Sequence, residues 1–526
     1  MTTLRWSSPV LGSAPMISRR SFVRAGLATA GLVAAGTSLT SGPAASARPG
    51  VRRPTAGWDR LDRCLTGDLV RPGDPDYPQA KQLDNGYFDS VSPQAVAYCE
   101  NERDVAACLA FAQHHDVPLA IRSGGHSAAG YSTGTGLVLD VSRLRRIDVG
   151  AGTVTIGPGT QGVDLLDTLA PLGRAAVTGT CPTVCAGGYL SGGGIGPLAR
   201  RFGVASDGLV AARVVLADGS VRSVSARRDP DLFWALRGGG GGNFGVVTEY
   251  RMRTTETARM TSFSLLWSWA DAAEVLAAYL RWLPRTPQDV TANLTVASQG
   301  PGTTPSVSVT GGWLGPDPTG IEPHLAGLVA AVGAAPTVRL VQDLTYQQAL
   351  MRQYGCSDKT VDQCHRVGYN PEAALARHGY VVARGRLLDR TPDTSAIAAA
   401  LALFDRDPLP GQFRILSLGG LGGRINRPGR RDTAYVHRSS DHYLTFTSGV
   451  PGFTPTPQQR AAVGSWTGDG FAIARRHGTE GQVNFIDPML PDWRRAYYAE
   501  NYDRLVGIKR RYDPHRFFRF AQAIGS

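Results

Sequence analysis

The chain is 526 residues long, carries a formal charge of +12 and is 42% hydrophobic, which gives it material for several domains and a large core. Only 19% of its residues are charged and 64 are glycine, so apart from the glycine it has an ordinary globular balance. The arginines are scattered, no nucleic-acid motif or basic helix face is present, and the positive charge therefore reads as that of a basic globular protein without a nucleic-acid partner.

At the N-terminus, Ser18-Arg-Arg-Ser-Phe-Val23 fits a twin-arginine export signal. A weakly apolar stretch over 25–37 and a small-residue cleavage site at Ala45-Ser-Ala47 follow it. The apolar run is too short and too rich in Gly and Ala to span a membrane, and no later segment reads as transmembrane. Export would place the seven cysteines in an oxidising compartment. Cys356 and Cys364 bracket a polar loop and are the best disulfide candidates. Cys99 and Cys108, where a strand gives way to a helix, form a second candidate pair. Neither a Cys-x-x-Cys pair nor a histidine cluster has metal spacing.

After a Pro- and Asp-punctuated lead-in, the pattern predicts a short helix over 58–66, a strand over 95–98 and a helix over 102–115. Val105, Cys108, Leu109 and Ala112 fall at i, i+3, i+4 and i+7 of that helix. The apolar run 118–121 enters a buried strand that ends in Ile121-Arg-Ser-Gly-Gly-His-Ser127. Gly124 and Gly125 let this turn take positive φ and bring bare N–H groups against an anion. With the glycines of 130–136 it predicts a cradle for a phosphate-bearing cofactor. Strands follow at 136–140, 153–156 and 211–216, with a helix over 161–172 between them and a tight hairpin at Asp218-Gly219. This alternation predicts an α+β cofactor domain. A Rossmann fold is disfavoured, because no Gly-x-Gly-x-x-Gly opens a helix with an acid about 20 residues on. From about residue 252, strands at 261–268, 291–298, 306–313, 414–418 and 442–446 accompany alanine-rich helices at 270–282, 321–333 and 394–404.

Two further glycine-rich segments stand beside Ile121–Ser127. One runs Gly179-Thr-Cys-Pro-Thr-Val-Cys-Ala-Gly-Gly-Tyr-Leu-Ser-Gly-Gly-Gly-Ile-Gly196, the other Trp234-Ala-Leu-Arg-Gly-Gly-Gly-Gly-Gly-Asn-Phe-Gly-Val-Val247. With Asn501-Tyr-Asp-Arg-Leu-Val-Gly-Ile-Lys509 and Tyr512-Asp-Pro-His-Arg-Phe-Phe518 near the C-terminus, the sequence resembles the berberine-bridge-enzyme-like branch of the FAD-linked oxidases, within the vanillyl-alcohol-oxidase superfamily. The resemblance implies an α+β fold: a PCMH-type FAD-binding domain of two α+β subdomains, and a substrate domain whose large antiparallel sheet, flanked by helices, lies over the flavin. The expected divisions are 1–47 signal, 48–255 FAD domain, 256–490 substrate domain and 491–526 returning to the FAD domain.

The resemblance also implies chemistry. In the family the histidine of Arg-Ser-Gly-Gly-His bonds to the flavin 8α-methyl group, which points to His126, and the cysteine of Gly-x-Cys-Pro-Thr bonds to C6, which points to Cys181. Imidazole and thiolate are both competent nucleophiles. The remaining FAD contacts are expected from Arg122, Ser123, Gly124, Gly125 and Ser127, from Gly192, Gly193, Gly194 and Gly196, and from Asn243 and Val247; the stretch 238–243 reads equally as a packing turn. The implied reaction takes a hydride from an alcohol or amine to flavin N5 and returns the electrons to O2 as H2O2, with Val184 at a position linked to oxygen access. The implied partners are thus a small-molecule substrate and O2, with no membrane.

The catalytic base departs from the family pattern. Where relatives carry Tyr-x-Asn-Tyr or Tyr-x-Asn-Phe, this chain reads Gln482-Val-Asn484-Phe485. Tyr435 and His437, in Thr-Ala-Tyr-Val-His-Arg438, share a face if 433–438 is a strand. They are expected on the flavin side, with Tyr189 lining the same pocket; sheet packing with an ion pair is the alternative. The missing tyrosine leaves a second reading open, a resistance protein that binds and reoxidises a reduced quinone as mitomycin-oxidising relatives do, because a hydroquinone needs less help from a base. A non-catalytic flavoprotein is a distant third.

Overall fold

The computed structural model describes residues 55–526, so the export signal lies outside the described residues. Two small sheets build the N-terminal half. The first runs in the order Leu69–Val70, Ala95–Tyr98, Leu137–Asp140, Leu119–Arg122, with the last three strands parallel. The helix Glu102–His114 covers it, burying Val105, Cys108 and Leu109 against Ala95, Ala97 and Leu139. Asn101 starts this helix by accepting hydrogen bonds from the N–H groups of Arg103 and Asp104, which would otherwise lack partners. The second sheet is antiparallel, in the order Ile147–Gly150, Thr153–Ile156, Val246–Arg253, Leu209–Val215, Val221–Ser225. Gly219, at φ +78°, turns the expected hairpin between its last two strands.

The C-terminal half is built on a seven-stranded antiparallel sheet. Its order is Val338–Thr345, Arg259–Trp267, Ser306–Trp313, Val290–Ser298, Phe413–Gly420, His442–Val450, Tyr380–Leu387. Side-chain alternation gives the sheet two different faces. Leu444 and Phe446 point to a core shared with the helices Ala272–Trp282, Glu322–Val332 and Thr394–Ala402. Tyr443, which precedes Leu444 and points the other way, joins the core that contains the cofactor-domain residues Leu190 and Phe244. The chain then returns, and Leu505 and Ile508 of the helix Tyr502–Tyr512 pack into that same core. The two smaller sheets and the large antiparallel sheet match the α+β fold class expected from the resemblance.

The loop after Tyr354 closes on itself through a Cys356–Cys364 disulfide. Cys99 and Cys108 lie with their sulfurs 4.0 Å apart, both buried and unbonded. The disulfide-closed loop docks on the cofactor domain: His365 Nε2 lies 2.8 Å from Asp164 Oδ1, and the Tyr369 hydroxyl donates to the other carboxylate oxygen.

Candidate active site

Between the two halves lies a cavity of about 700 Å³. The turn after Leu119–Arg122 forms one wall. Residues 118–121 and Ser123 line the cavity, whereas Arg122 does not. Arg122 is buried and paired through Nε with Asp140, so it is an element of sheet packing rather than the cofactor contact expected. Gly125 takes φ +71° and turns the chain so that Ser123, Gly124, Gly125, His126 and Ser127 all face the cavity. Their N–H groups donate to no protein acceptor among the described residues. An anion is the natural partner for such a row of N–H groups.

The second expected donor stretch behaves differently. The N–H groups of Gly192 and Gly193 go to the carbonyls of Gly188 and Leu190, and that of Gly194 goes to Asn484 Oδ1 at 3.1 Å. Gly192 lines the cavity, but Gly193, Gly194 and Gly196 stand behind its wall. Gly192, Gly193 and Gly194 therefore shape a turn and have no N–H left for a phosphate. The stretch 238–243 divides in two. Gly238 and Gly240 donate to Ser191 O as a packing turn, while Gly240, Gly241, Gly242, Asn243 and Val247 line the cavity.

His126 and Cys181 both open into this space. The His126 side chain is 20% exposed, with Nε2 2.9 Å from Thr183 Oγ1 and Nδ1 3.5 Å from Asp84 Oδ2. Burial lowers the His126 pKa against the opposing pull of Asp84. Cys181 Sγ lies 3.6 Å from the same Thr183 hydroxyl, and burial raises its pKa above the usual thiol value. One hydroxyl thus stands between the two expected attachment atoms. On the far side of His126, Asp84 Oδ2 is 2.7 Å from Nδ1 of His378. Burial would raise the Asp84 pKa, but His126, the His378 hydrogen bond and Arg366 outweigh it and bring it down to about 2. Neither Asp84 nor His378 carries a sequence signal, because 294 positions separate them and no motif spans either.

Tyr189 lines the cavity as expected; its hydroxyl is buried without a partner, and burial raises its pKa well above the ordinary value. Tyr435 and His437 do not line it. Residues 433–438 form no strand: the segment is irregular, tied to 234–237 by Ala434 N and Tyr435 N donating to the carbonyls of Trp234 and Arg237. The Tyr435 ring is buried edge-on against His437, with the Arg438 guanidinium over its face. Burial raises its pKa despite that guanidinium, so the phenol keeps its proton. His437 is held at 2.6 Å from Glu480, whose carboxyl stays below its usual range because His437 and Arg430 outweigh burial. The expectation of a flavin-facing base pair is thereby corrected: Tyr435 packs behind the cavity wall and His437 is bonded to Glu480.

Asn484 holds the opposite wall. Its amide donates to the carbonyls of Gly188 and Tyr189 and accepts from Gly194 N, all at 3.1 Å. Phe485 beside it is half-exposed and stacks on Tyr443, with ring centroids 5.5 Å apart. Phe517, Phe518, Arg519 and Phe520 complete the enclosure from the C-terminal return.

A large, mostly apolar cavity with a row of free N–H groups, two nucleophiles and an enclosing sheet defines a dinucleotide-flavin protein, and the residues present fit FAD. Residues 93–225 match the FAD binding domain family and residues 483–525 the family described as berberine and berberine like. The uncharacterized FAD-linked oxidoreductase YgaK of Bacillus subtilis (strain 168) is 30% identical over 471 residues, covering 88% of this chain and 97% of that protein. Glucooligosaccharide oxidase of Sarocladium strictum is 28% identical over 448 residues, 81% of this chain and 86% of that one. In three dimensions, BBE-like 1 of Physcomitrella patens superposes with a TM-score of 0.78 at 22% identity, over 89% of this chain and 98% of that chain. The chain belongs to the berberine-bridge-enzyme-like FAD-linked oxidoreductases. It is a FAD-dependent enzyme of that family.

Proposed function

We propose that this protein is an exported oxidase that holds FAD covalently through His126 and Cys181, oxidises a small organic alcohol or amine, and returns the electrons to O2 as H2O2. The observation that carries the reading is the convergence of His126 and Cys181 in one cavity wall, both in contact with the buried Thr183 hydroxyl and beside five free N–H groups. FAD, when bound, supplies the two-electron acceptor. The chain's own part is to seat it: Ser123–Ser127 offer donors to the pyrophosphate, and Gly240–Asn243 and the 517–520 segment close around it. Val184 lines the cavity next to Thr183, and its small side chain leaves room for O2. Export is supported by the twin-arginine motif and by a disulfide, which persists in an oxidising compartment.

One observation favours a reduced quinone or an amine over a simple sugar alcohol. The lining tyrosines Tyr131, Tyr189, Tyr250 and Tyr498 all have their pKa values raised, chiefly by burial, with no cation among the causes. None is poised to take a hydroxyl proton at neutral pH. A substrate with an acidic hydroxyl, or a neutral amine, makes the smaller demand on such a site.

The test is anaerobic bleaching of the flavin against a panel of oligosaccharides, natural-product alcohols, secondary amines and hydroquinones, followed by air. The reading requires bleaching by at least one class and rapid recolouring in air with H2O2 released. Recolouring by a quinone or dye but hardly at all by air would remove the oxidase assignment.

A further inference from the structure

We propose that Asp84 is the residue that drives attachment of His126 to FAD, by placing a fixed negative charge beside the attacking nitrogen. The inference rests on the covalent reading above and adds a residue that no motif contains.

The geometry assigns a role to each ring nitrogen of His126. Nε2 is engaged by Thr183 Oγ1 at 2.9 Å, a full hydrogen bond, whereas Nδ1 is 3.5 Å from Asp84 Oδ2, too far for a good one. In the tautomer whose Nε2–H donates to the Thr183 hydroxyl, the Nδ1 lone pair is the free one, and this is the form assigned to attack. Two features fix the carboxylate in place. Asp84 N donates to Gly125 O in the attachment turn itself, and His378 N donates to Asp84 O while the His378 ring meets Oδ2 at 2.7 Å. Arg377 anchors the same strap, with Nε on Leu83 O and its guanidinium on Asp89. The substrate domain thus clamps Asp84 against the cofactor domain's nucleophile. The groups that bear on this carboxylate are His126, His378 and Arg366, and together they keep it ionised.

In the attachment step the Nδ1 lone pair forms a bond to the 8α carbon, and one C–H bond of that methyl group breaks. The lost hydrogen leaves as a proton and two electrons, and the electrons end on O2, which departs as H2O2 after taking up that proton and one from solvent. The imidazole, now carrying carbon on Nδ1 and hydrogen on Nε2, is an imidazolium until Nε2 releases its proton. Asp84 acts on this charge. A carboxylate at this distance makes Nδ1 a stronger electron donor before the bond forms and stabilises the cation afterwards. The His378 ring is 44% exposed and bonds the same carboxylate oxygen.

The experiment follows attachment itself, not turnover. The full chain and the variants Asp84→Asn, Asp84→Glu and His378→Gln are supplied with FAD and acid-precipitated at intervals, and the peptides bearing His126 and Cys181 are weighed. An opposite charge shifts the proton affinity of a neighbouring group by roughly 1–3 pKa units, so His126 attachment in Asp84→Asn is expected to slow roughly tenfold or more. Adducts on Cys181 should continue to form, and Asp84→Glu should recover most of the rate. Full-speed attachment at His126 in Asp84→Asn overturns the proposal. If Asp84→Asn fails to accumulate folded, His378→Gln decides: it leaves the charge in place, so attachment at or above the wild-type rate is expected and its loss overturns the proposal. Failure of the covalent reading looks different, since wild-type protein would then release all its FAD into the acid supernatant.

Discussion

Replacing Lys509 by Met should release the C-terminal return from the cofactor domain. Lys509 is 2% exposed; its ammonium group donates to Asn243 O at 2.5 Å and Phe518 O at 2.7 Å and pairs with Asp513 Oδ2 at 2.6 Å. Burial lowers its pKa against the pull of Asp513. Met keeps the apolar stem but strands the buried carboxylate, and removing one partner of a buried pair costs about 3–5 kcal/mol. Asp513 retains the N–H groups of Phe517 and Phe518, which places the expected loss near the lower end, about 3 kcal/mol. The loss falls on the segment that carries Phe517–Phe520 into the cavity and that docks Ile524 N on Asn243 Oδ1, so flavin fluorescence should rise at lower urea than the tryptophan signal changes. The assay is urea unfolding with both probes on Lys509→Met and on Lys509→Met/Asp513→Asn. The double variant should recover part of the stability because no bare charge remains. A single-variant loss below about 1 kcal/mol, or no recovery in the double variant, would refute the reasoning.

Three other outcomes follow from the same structure. Tyr435→Phe removes a buried hydroxyl that has no partner, so rapid-mixing measurements should find flavin reduction within about twofold of wild type; a fall of roughly 10²–10⁴-fold would restore Tyr435 as the base. Opening the Cys356–Cys364 disulfide with Cys356→Ser/Cys364→Ser, across a separation of 8 residues, should lower stability by roughly 2–3 kcal/mol in urea unfolding, and an unchanged midpoint would show that the loop is held by other contacts. Stability should also depend on pH with a defined sign. Asp84 sits below its ordinary value of 3.8, at about 2, so its contribution, about 2 kcal/mol, is present above 3.8 and lost as pH falls toward 2. His378 is raised above 6.5 by its Asp84 hydrogen bond, and His365 is raised because Asp164 outweighs burial; their contributions are complete below 6.5 and lost as pH rises through the raised values. Thermal midpoints against pH should therefore peak between these limits, and Asp84→Asn should flatten the acid side; an acid limb as steep as wild type in that variant would contradict the assignment.

What could be read from the sequence was local. The glycine-rich turn at Ile121–Ser127 and the motif around Cys181 carry their geometry in consecutive residues, and Cys356 and Cys364 are separated by only 8 positions. The helix Pro457–Ala474 is not legible in the sequence, because Gly464, Gly468 and Gly470 interrupt its pattern. Gly470 is there because a Cβ would sit 2.2 Å from the Phe446 ring, a contact between elements that no periodicity reveals. The edge strands Val338–Thr345 and Tyr380–Leu387 leave no clear pattern for a related reason: they are half-exposed along most of their length and lack the in–out alternation that marks a half-buried strand. Tyr435 and His437 lie behind the cavity wall because 433–438 is irregular and does not obey the strand alternation expected of it. Asp84 and His378 meet only because a strap from one domain lies along the other.

The central claim is that His126 and Cys181 together hold FAD. The most direct measurement is the mass of the peptides bearing these two residues from wild-type protein denatured and precipitated in acid. The account predicts a yellow pellet, a supernatant free of flavin, and one FAD bridging the His126 and Cys181 peptides. A colourless pellet with both peptides at their unmodified masses would contradict it.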